Sequence, residues 1–220
     1  MPSYSGVFTL QAQMQAIAAG TWTGLPLVIG SAYEGGFFAG QISTAGNGIA
    51  DYNLVVGPIS TAESTALDWK TSNTGGDPTS VIDGPTNSST MNSATYPTAQ
   101  FCEGLTIGGF SDWYMPAKNE LEVCYYNLKP RTPTSQASSG INANAVPARA
   151  SNYTAGNPAQ TSATAFKEGG TQALSFVYWS STQFSATEGS FQTFYNGGQY
   201  GYTKFTGSGF KVRAIRRVAV

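Results

Sequence analysis

Three separated segments constrain the fold of this chain more than anything else in it. Residues 108–116, Gly-Gly-Phe-Ser-Asp-Trp-Tyr-Met-Pro, read as a turn that delivers a helix carrying Asn119, Glu120 and Leu121. Residues 178–182, Tyr-Trp-Ser-Ser-Thr, read as a strand of bulky rings followed by a hydroxyl-rich edge. The chain then closes on Phe210, Lys211, Val212, Arg213 and Ala214, whose alternation is that of a strand.

The segments between these landmarks read as sheet and helix without the strand-helix alternation of βαβ units. Apolar residues at Val7, Leu10, Met14, Ile17 and Ala18 are spaced like one face of a helix over 4–22, capped by Ser5 or Thr9 and stopped at Gly20. A piece this short must dock onto the main domain, a sister copy or a larger assembly. Strands are predicted over 36–42, 52–56 and 66–70, divided by Gly46-Asn47-Gly48 and Gly57-Pro58. Residues 71–90, rich in Thr, Ser, Asn, Gly, Asp and Pro, predict an irregular loop. A helix fits 93–105, stopped by Gly108 and Gly109, and a second fits 116–128, with Pro116 in its first turn and Lys129-Pro130 at its end. Residues 131–163 form a loop long enough to bind something or wrap a neighbour. The last third reads as a β-meander over 176–180, 189–195, 200–205 and 209–216, with Asn196-Gly197-Gly198 as a hairpin turn.

Charge excludes one class of partner. Lys plus Arg (11) nearly balance Asp plus Glu (12), for a formal charge of -1, so no basic field attracts nucleic acid. In place of charges stand Ser, Thr, Asn, Gln and Gly, with 12 Tyr and 12 Phe, a mix suited to neutral hydrogen bonding and ring stacking. The amino terminus lacks the basic and apolar regions of a secretory signal, and the apolar stretch at 25–30 is far short of the ~20 residues of a membrane helix. The expectation is a product made in the cytosol, without membrane insertion, that leaves the cell by lysis or within an assembled particle.

Catalysis near neutral pH is poorly served, because the chain has no histidine. Cys102 and Cys124 read as buried free thiols, and no metal site or cofactor is expected. Among carboxylates, Asp112 is expected to accept backbone N–H bonds in its turn, and Glu120 to support the helix start or pair with Arg213 or Arg216. Glu120 and Glu122, two apart on a helix, point in different directions. Trp113, Tyr178 and Trp179 could stack sugars or fill the core. A better candidate surface is Gln183, Phe184, Phe191, Tyr195, Asn196, Gln199, Tyr200 and Tyr202, with Glu188 and Gln192 among them. There rings alternate with small and amide residues, so about half must face outward, towards a ligand or a sister subunit. Lys211, Arg213, Arg216 and Arg217 concentrate basic charge in the last strand, for helix carboxylates and inter-subunit carbonyls or, on the other reading, a phosphate or lipopolysaccharide.

The Trp-x-x-Pro-x-x-x-Glu-Leu start at Trp113, Pro116, Glu120 and Leu121, the Tyr-Trp-Ser-Ser-Thr strand, and the Val-Arg-x-x-Arg end at Val212, Arg213 and Arg216 together resemble the C-type-lectin-like domains of bacterial collagen-like adhesins and phage fibre tips. The likeness covers about 66–217. It implies an α+β, C-type-lectin-like fold, mainly antiparallel β with two helices, over 33–220, preceded by an attachment segment over 1–32. It also implies that Asp112, Trp113, Pro116, Glu120, Tyr178, Trp179 and Arg213 are structural, with the large rings packed between helices and sheet. The amino-terminal Gly6-Val7-Phe8-x-Leu10 and Ala19-Gly20-x-Trp22 are similar to the start of marine phage structural proteins.

Such domains mostly bind. Enzymes of a similar fold use cysteines near the carboxy terminus, and none follows Cys124; the Glu-Pro-Asn, Gln-Pro-Asp and Trp-Asn-Asp triplets of calcium-dependent lectins do not occur. A structural ion held by loop carbonyls stays open. The expectation is a non-enzymatic virion surface protein, a tail-fibre tip or decoration subunit, adhering to a host glycan or protein. It would join other virion proteins through its amino-terminal segment and form a homotrimer by analogy with fibre tips. The alternatives are a structural cement protein and, third, a polysaccharide-trimming enzyme, which would need an exposed carboxylate pair in a groove.

Overall fold

The computed structural model describes residues 14, 26–132, 134–205 and 207–220. The helix expected over 4–22, and with it most of the proposed attachment segment, lies outside these residues.

A first sheet joins β1 (Ala32–Tyr33), β2 (Gly36–Ile42), β3 (Tyr52–Val56) and β8 (Ile215–Ala219) in that order, and β4 (Ala145–Val146) pairs with the far end of β2. All its pairs are antiparallel. The β1–β2 turn is two residues long, with Glu34 at φ 45° and Gly35 at φ 83°, the left-handed pair that a tight hairpin requires. A second sheet is the meander β5 (Val177–Gln183), β6 (Glu188–Thr193) and β7 (Gln199–Thr203).

Four α-helices lie between them: α1 (Ile59–Ala62), α2 (Gly84–Thr90), α3 (Pro97–Glu103) and α4 (Lys118–Leu128). In α4 the Glu120 carboxylate accepts from the Ala117 N–H at 2.8 Å, and Ala117 offers no side-chain acceptor in return. Helix α4 crosses β2 where Gly40 makes a bulge; a Cβ there would lie 2.3 Å from Asn127 Nδ2, so the close approach demands glycine.

Four sequence expectations are corrected. Among the described residues from 26 onward there are four α-helices, not two. Helix α2 sits inside the stretch read as loop, started by Asp83 accepting from the Thr86 N–H (3.2 Å) and by Pro85 in the first turn. Residues 66–70 are not a strand: Trp69 is buried, its indole N–H donates to the Ser180 carbonyl at 2.7 Å, and its backbone N–H donates to Lys204. The final strand leaves the meander and joins β3.

Residues 210–215 form a seam between the two sheets. Lys211 exchanges backbone hydrogen bonds with Val177 (3.1 Å) and Trp179 (2.9 Å), and Ile215 does so with Tyr114 (3.1 and 2.9 Å). Ala214 bonds to Ala62 and Gly57, and Val212 to Ser64. One core cluster gathers Ile42, Leu54, Leu121, Tyr125, Tyr178 and Phe194 around α4. The other gathers Trp69, Met91, Cys102, Trp113, Trp179 and Val212 beneath α2 and α3. Cys102 and Cys124 are free and buried, and burial pushes both thiols up.

Buried charge is arranged by one rule. Glu63 accepts from Arg213 (3.0 Å), Lys211 (2.8 Å) and the Tyr178 hydroxyl (2.7 Å). Glu120 accepts from Arg217 (2.8 Å) and Tyr114 (2.5 Å), Glu122 from Arg149, Asn142 and Tyr153, and Asp77 from Lys70, Lys204 and Tyr96. Each carboxylate thus has at least one cation and one tyrosine hydroxyl. Arg217, not Arg213 or Arg216, holds Glu120. Asp112, expected to accept backbone N–H groups, instead forms a two-point pair with Arg216 at 2.7 and 2.9 Å.

Removing one partner of a buried pair leaves the other uncompensated. Glu63→Gln strands Arg213, which is 1% exposed, and should cost about 3–5 kcal/mol in urea unfolding. Glu168→Gln, at the exposed Arg131 pair, should change stability by less than about 1 kcal/mol.

Asp77 sets a pH dependence. Burial opposes its ionisation, but hydrogen bonds from Lys204, Lys70 and Tyr96 together hold its carboxyl below the ordinary value. A depressed folded pKa contributes stability that is complete above the unfolded value of about 3.9 and is lost as pH falls through the lower folded value. Thermal melting should therefore fall as the solution is acidified below about pH 4, and Asp77→Asn should remove that part of the slope while lowering stability at neutral pH.

Candidate binding surface

The meander places a run of rings on one of its faces. Trp179 stands opposite Phe191, and Phe191 opposite Tyr200, so the three share a face, and Tyr202 joins them two residues further along β7. Phe210, at the start of the seam, completes the group. Its ring centroid lies 4.8 Å from Trp179, 4.9 Å from Phe191 and 5.3 Å from Tyr202, and Phe191 lies 5.8 Å from Tyr200. Exposure rises outward: Trp179 is buried, Phe191 and Phe210 are half-buried, and Tyr200 and Tyr202 are 41% and 45% exposed. The second core cluster thus runs out to solvent along the edge strand. Among the described residues neither tyrosine hydroxyl is in a hydrogen bond.

The other residues of the expected site are not gathered on this face. Phe184 is exposed but lies on the reverse face, where a Cβ on Gly201 would come 2.2 Å from its ring. Gln199 shares that reverse side, with its backbone N–H donating to Ser139 Oγ at 3.1 Å. Tyr195 is exposed at the hairpin with the Arg131 guanidinium 5.3 Å from its ring centre. Asn196 builds the turn, its side-chain oxygen accepting from the Gly198 N–H at 3.2 Å. Gln183 accepts from Lys204 at 2.8 Å and from the Asp77 N–H at 3.3 Å, inside the Asp77 cluster. Glu188 bonds to Ser185, and Gln192 is buried with its Oε1 unpartnered. Of the residues expected to be structural, Trp113, Pro116, Tyr178 and Trp179 are buried, and the Trp113 and Trp179 indoles donate to the carbonyls of Phe110 and Leu67. Arg213 donates to the Gly57 carbonyl and Glu63.

Sequence reasoning missed one concave surface. Two adjoining cavities of about 340 and 380 Å³ share Pro85, Asp112 and Tyr114, and bring Asp83, Glu103 and Arg217 to one cleft. Burial raises the Glu103 carboxyl, against a hydrogen bond from Ser88. The only local signal was Asp83 preceding Pro85, the start of an unexpected helix. Among the described residues no three His, Cys, Asp or Glu side chains are grouped to hold a metal ion, and no helix is long and apolar enough to cross a membrane.

Comparison with curated proteins and with solved structures gave no match. The family model of the Lcl C-terminal domain matches residues 59–216, from α1 into β8. That span includes the seam, α2 to α4, the whole meander and the ring-bearing face. The chain therefore belongs to the Lcl C-terminal domain family, a family of C-type-lectin-like domains.

Proposed function

We propose that the chain is the adhesive module of a virion surface protein, a fibre tip or decoration subunit, that holds a host cell surface by non-covalent contacts and is not an enzyme. The family assignment supports a lectin-like, adhesin-type binding domain. The observation that carries the reading is the ring face: two tyrosines more than 40% exposed, on an edge strand, held by Phe191 and Phe210 against buried Trp179. Rings already ordered by their neighbours lose little freedom on binding, and weak single contacts multiply when many copies sit on one particle. The buried carboxylates Glu63, Glu120 and Glu122 support a binder too, since each is fixed between a cation and a phenol. On this reading the segment 1–32 attaches the domain to other virion proteins, and copies associate as a trimer.

Particles carrying Tyr200→Ala with Tyr202→Ala test it. Half-exposed rings contribute about 1 kcal/mol each to folding, so the double variant should still fold and assemble. Adsorption to host cells should fall roughly tenfold or more, at about 1 kcal/mol or more per lost ring. Normal adsorption by particles of reduced integrity would instead assign the face to assembly, as a cement protein requires.

A further inference from the structure

The chain contains two Asn-Gly pairs, Asn47-Gly48 between β2 and β3 and Asn196-Gly197 between β6 and β7. In such a pair the next backbone nitrogen can attack the side-chain amide carbon with little hindrance, because glycine has no Cβ in the way and its backbone adapts freely. The fold treats the two pairs differently.

At the first pair both residues are exposed. The Asn47 side-chain oxygen reaches over the Gly48 peptide and accepts from the Ile49 N–H at 2.9 Å and from the Ser43 hydroxyl at 2.8 Å. Ser43 is fully buried, and its Oγ in turn accepts from the Asn47 N–H at 3.3 Å, which leaves its own proton for the amide oxygen. The frame behind it is fixed: Asn144 accepts from the Ser43 N–H (2.8 Å) and donates to the Ser43 carbonyl (2.9 Å), while Asp51 takes the Thr44 N–H and hydroxyl at 2.6 Å each. The Gly48 N–H makes no hydrogen bond among the described residues, and the space where its Cβ would stand is open.

The second pair is closed. Gly197 is buried against the Tyr125 ring, and its N–H donates to the Thr193 carbonyl at 2.8 Å. The Asn196 oxygen accepts from the Gly198 N–H alone among the described residues, at 3.2 Å.

Two donors about 2.7–3.1 Å from a carbonyl oxygen form the arrangement that stabilises the oxyanion created when its carbon is attacked. We propose that Asn47-Gly48 is a self-modification site, at which the native fold converts Asn47 through a succinimide into aspartate and isoaspartate, with Ser43 and the Ile49 N–H holding the developing negative charge. Hydroxide takes the Gly48 amide proton and the nitrogen forms a bond to Asn47 Cγ, sending an electron pair onto Oδ1. That pair returns, the Cγ–Nδ2 bond breaks, and Nδ2 leaves as ammonia with a proton from water. Water then opens the five-membered ring: at the side-chain carbonyl it gives aspartate, and at the backbone carbonyl it gives isoaspartate, whose main chain is one methylene longer. One water is consumed and one ammonia released. An aspartate at this position keeps both bonds to a charged acceptor, whereas isoaspartate moves the acceptor away; each adds a negative charge to a chain of formal charge -1. The inference is independent of the adhesive reading.

The test is to incubate the full chain in mildly alkaline buffer, native and in guanidinium chloride, and to follow both pairs by peptide mapping, which reads the amide-to-acid mass gain and separates aspartate from isoaspartate. Unfolded, the two pairs should convert at similar rates. Native, Asn47 should convert at least as fast as in denaturant, and Asn196 at least roughly tenfold more slowly than Asn47. Ser43→Ala should slow conversion at Asn47 roughly tenfold in the native chain and leave it unchanged in denaturant, and Ser43→Thr, which keeps a hydroxyl, should restore most of the rate. Native Asn47 that stays intact while the unfolded chain converts, or equal native rates at the two pairs, overturns the proposal even if neither serine variant folds. An unchanged native rate in a folded Ser43→Ala chain overturns the role of the hydroxyl.

Discussion

Everything in this domain is organised around an arginine that the last strand cannot avoid burying. Residues 210–215 are covered on both sides, with Val212 and Ala214 alternating one way and Arg213 the other. A guanidinium in that position is tolerated only if its donors are met and its charge opposed. Gly57, Glu63 and Gln172 supply this, and Tyr178 and Lys211 supply further bonds to Glu63. Because Tyr178 belongs to the meander and Gly57 and Glu63 flank α1, one charge cluster ties together residues more than a hundred positions apart. The backbone bonds of the seam then hold Val177 and Trp179 on one side and Tyr114 on the other.

The same device recurs at Glu120, Glu122 and Asp77. A carboxylate has more lone pairs than one cation can satisfy: Asp77, like Glu63, takes two cations, Glu120 and Glu122 take one, and each takes a phenol as well. A phenol completes the acceptor without changing the net charge. The consequence reaches the exterior: a chain with only 10% charged residues buries five of its eleven cations and half-buries the other six, so its outer recognition leans on rings, amides and hydroxyls.

Much of this was legible in the sequence where local pattern and tertiary demand agree. Strands β2 and β3 and the body of α4 stand where alternation, Pro116 and the apolar spacing put them. Helix α2 was hidden because Gly-Pro-Thr-Asn-Ser-Ser-Thr has the composition of a turn; its Asp83 cap and the burial of Asn87 and Ser88 override propensity. Residues 66–70 look like a strand because Trp69 must be buried, but they dock by single bonds and pair with no strand ladder. The partners of Asp112 and Glu120 depend on register between distant segments, which no local signal carries. Ring excess in the last hairpins was readable, but which ring faces where was not. The irregular pairing between Trp179 and Gln183 lets β5 end out of step with β6, and Phe184 falls on the reverse face.

An exposed edge strand bearing aromatic side chains is a hazard that soluble domains normally suppress with charge, proline or a bulge. Strand β7, Gln-Tyr-Gly-Tyr-Thr, has no charge and no proline, and Lys204 directly after it turns inward to Asp77. Selection for solubility alone would favour a lysine or threonine at position 200 or 202, since each ring gains only partial burial there. The rings are instead braced from behind by Phe191 and Phe210, which themselves rest on Trp179. Bracing an exposed ring adds nothing to folding that a smaller core would not give, but it lowers the entropy lost when a ligand settles on it. Core packing and surface recognition are here one continuous structure, with the core cluster of Trp69, Trp113 and Trp179 ending in the two tyrosines at the edge.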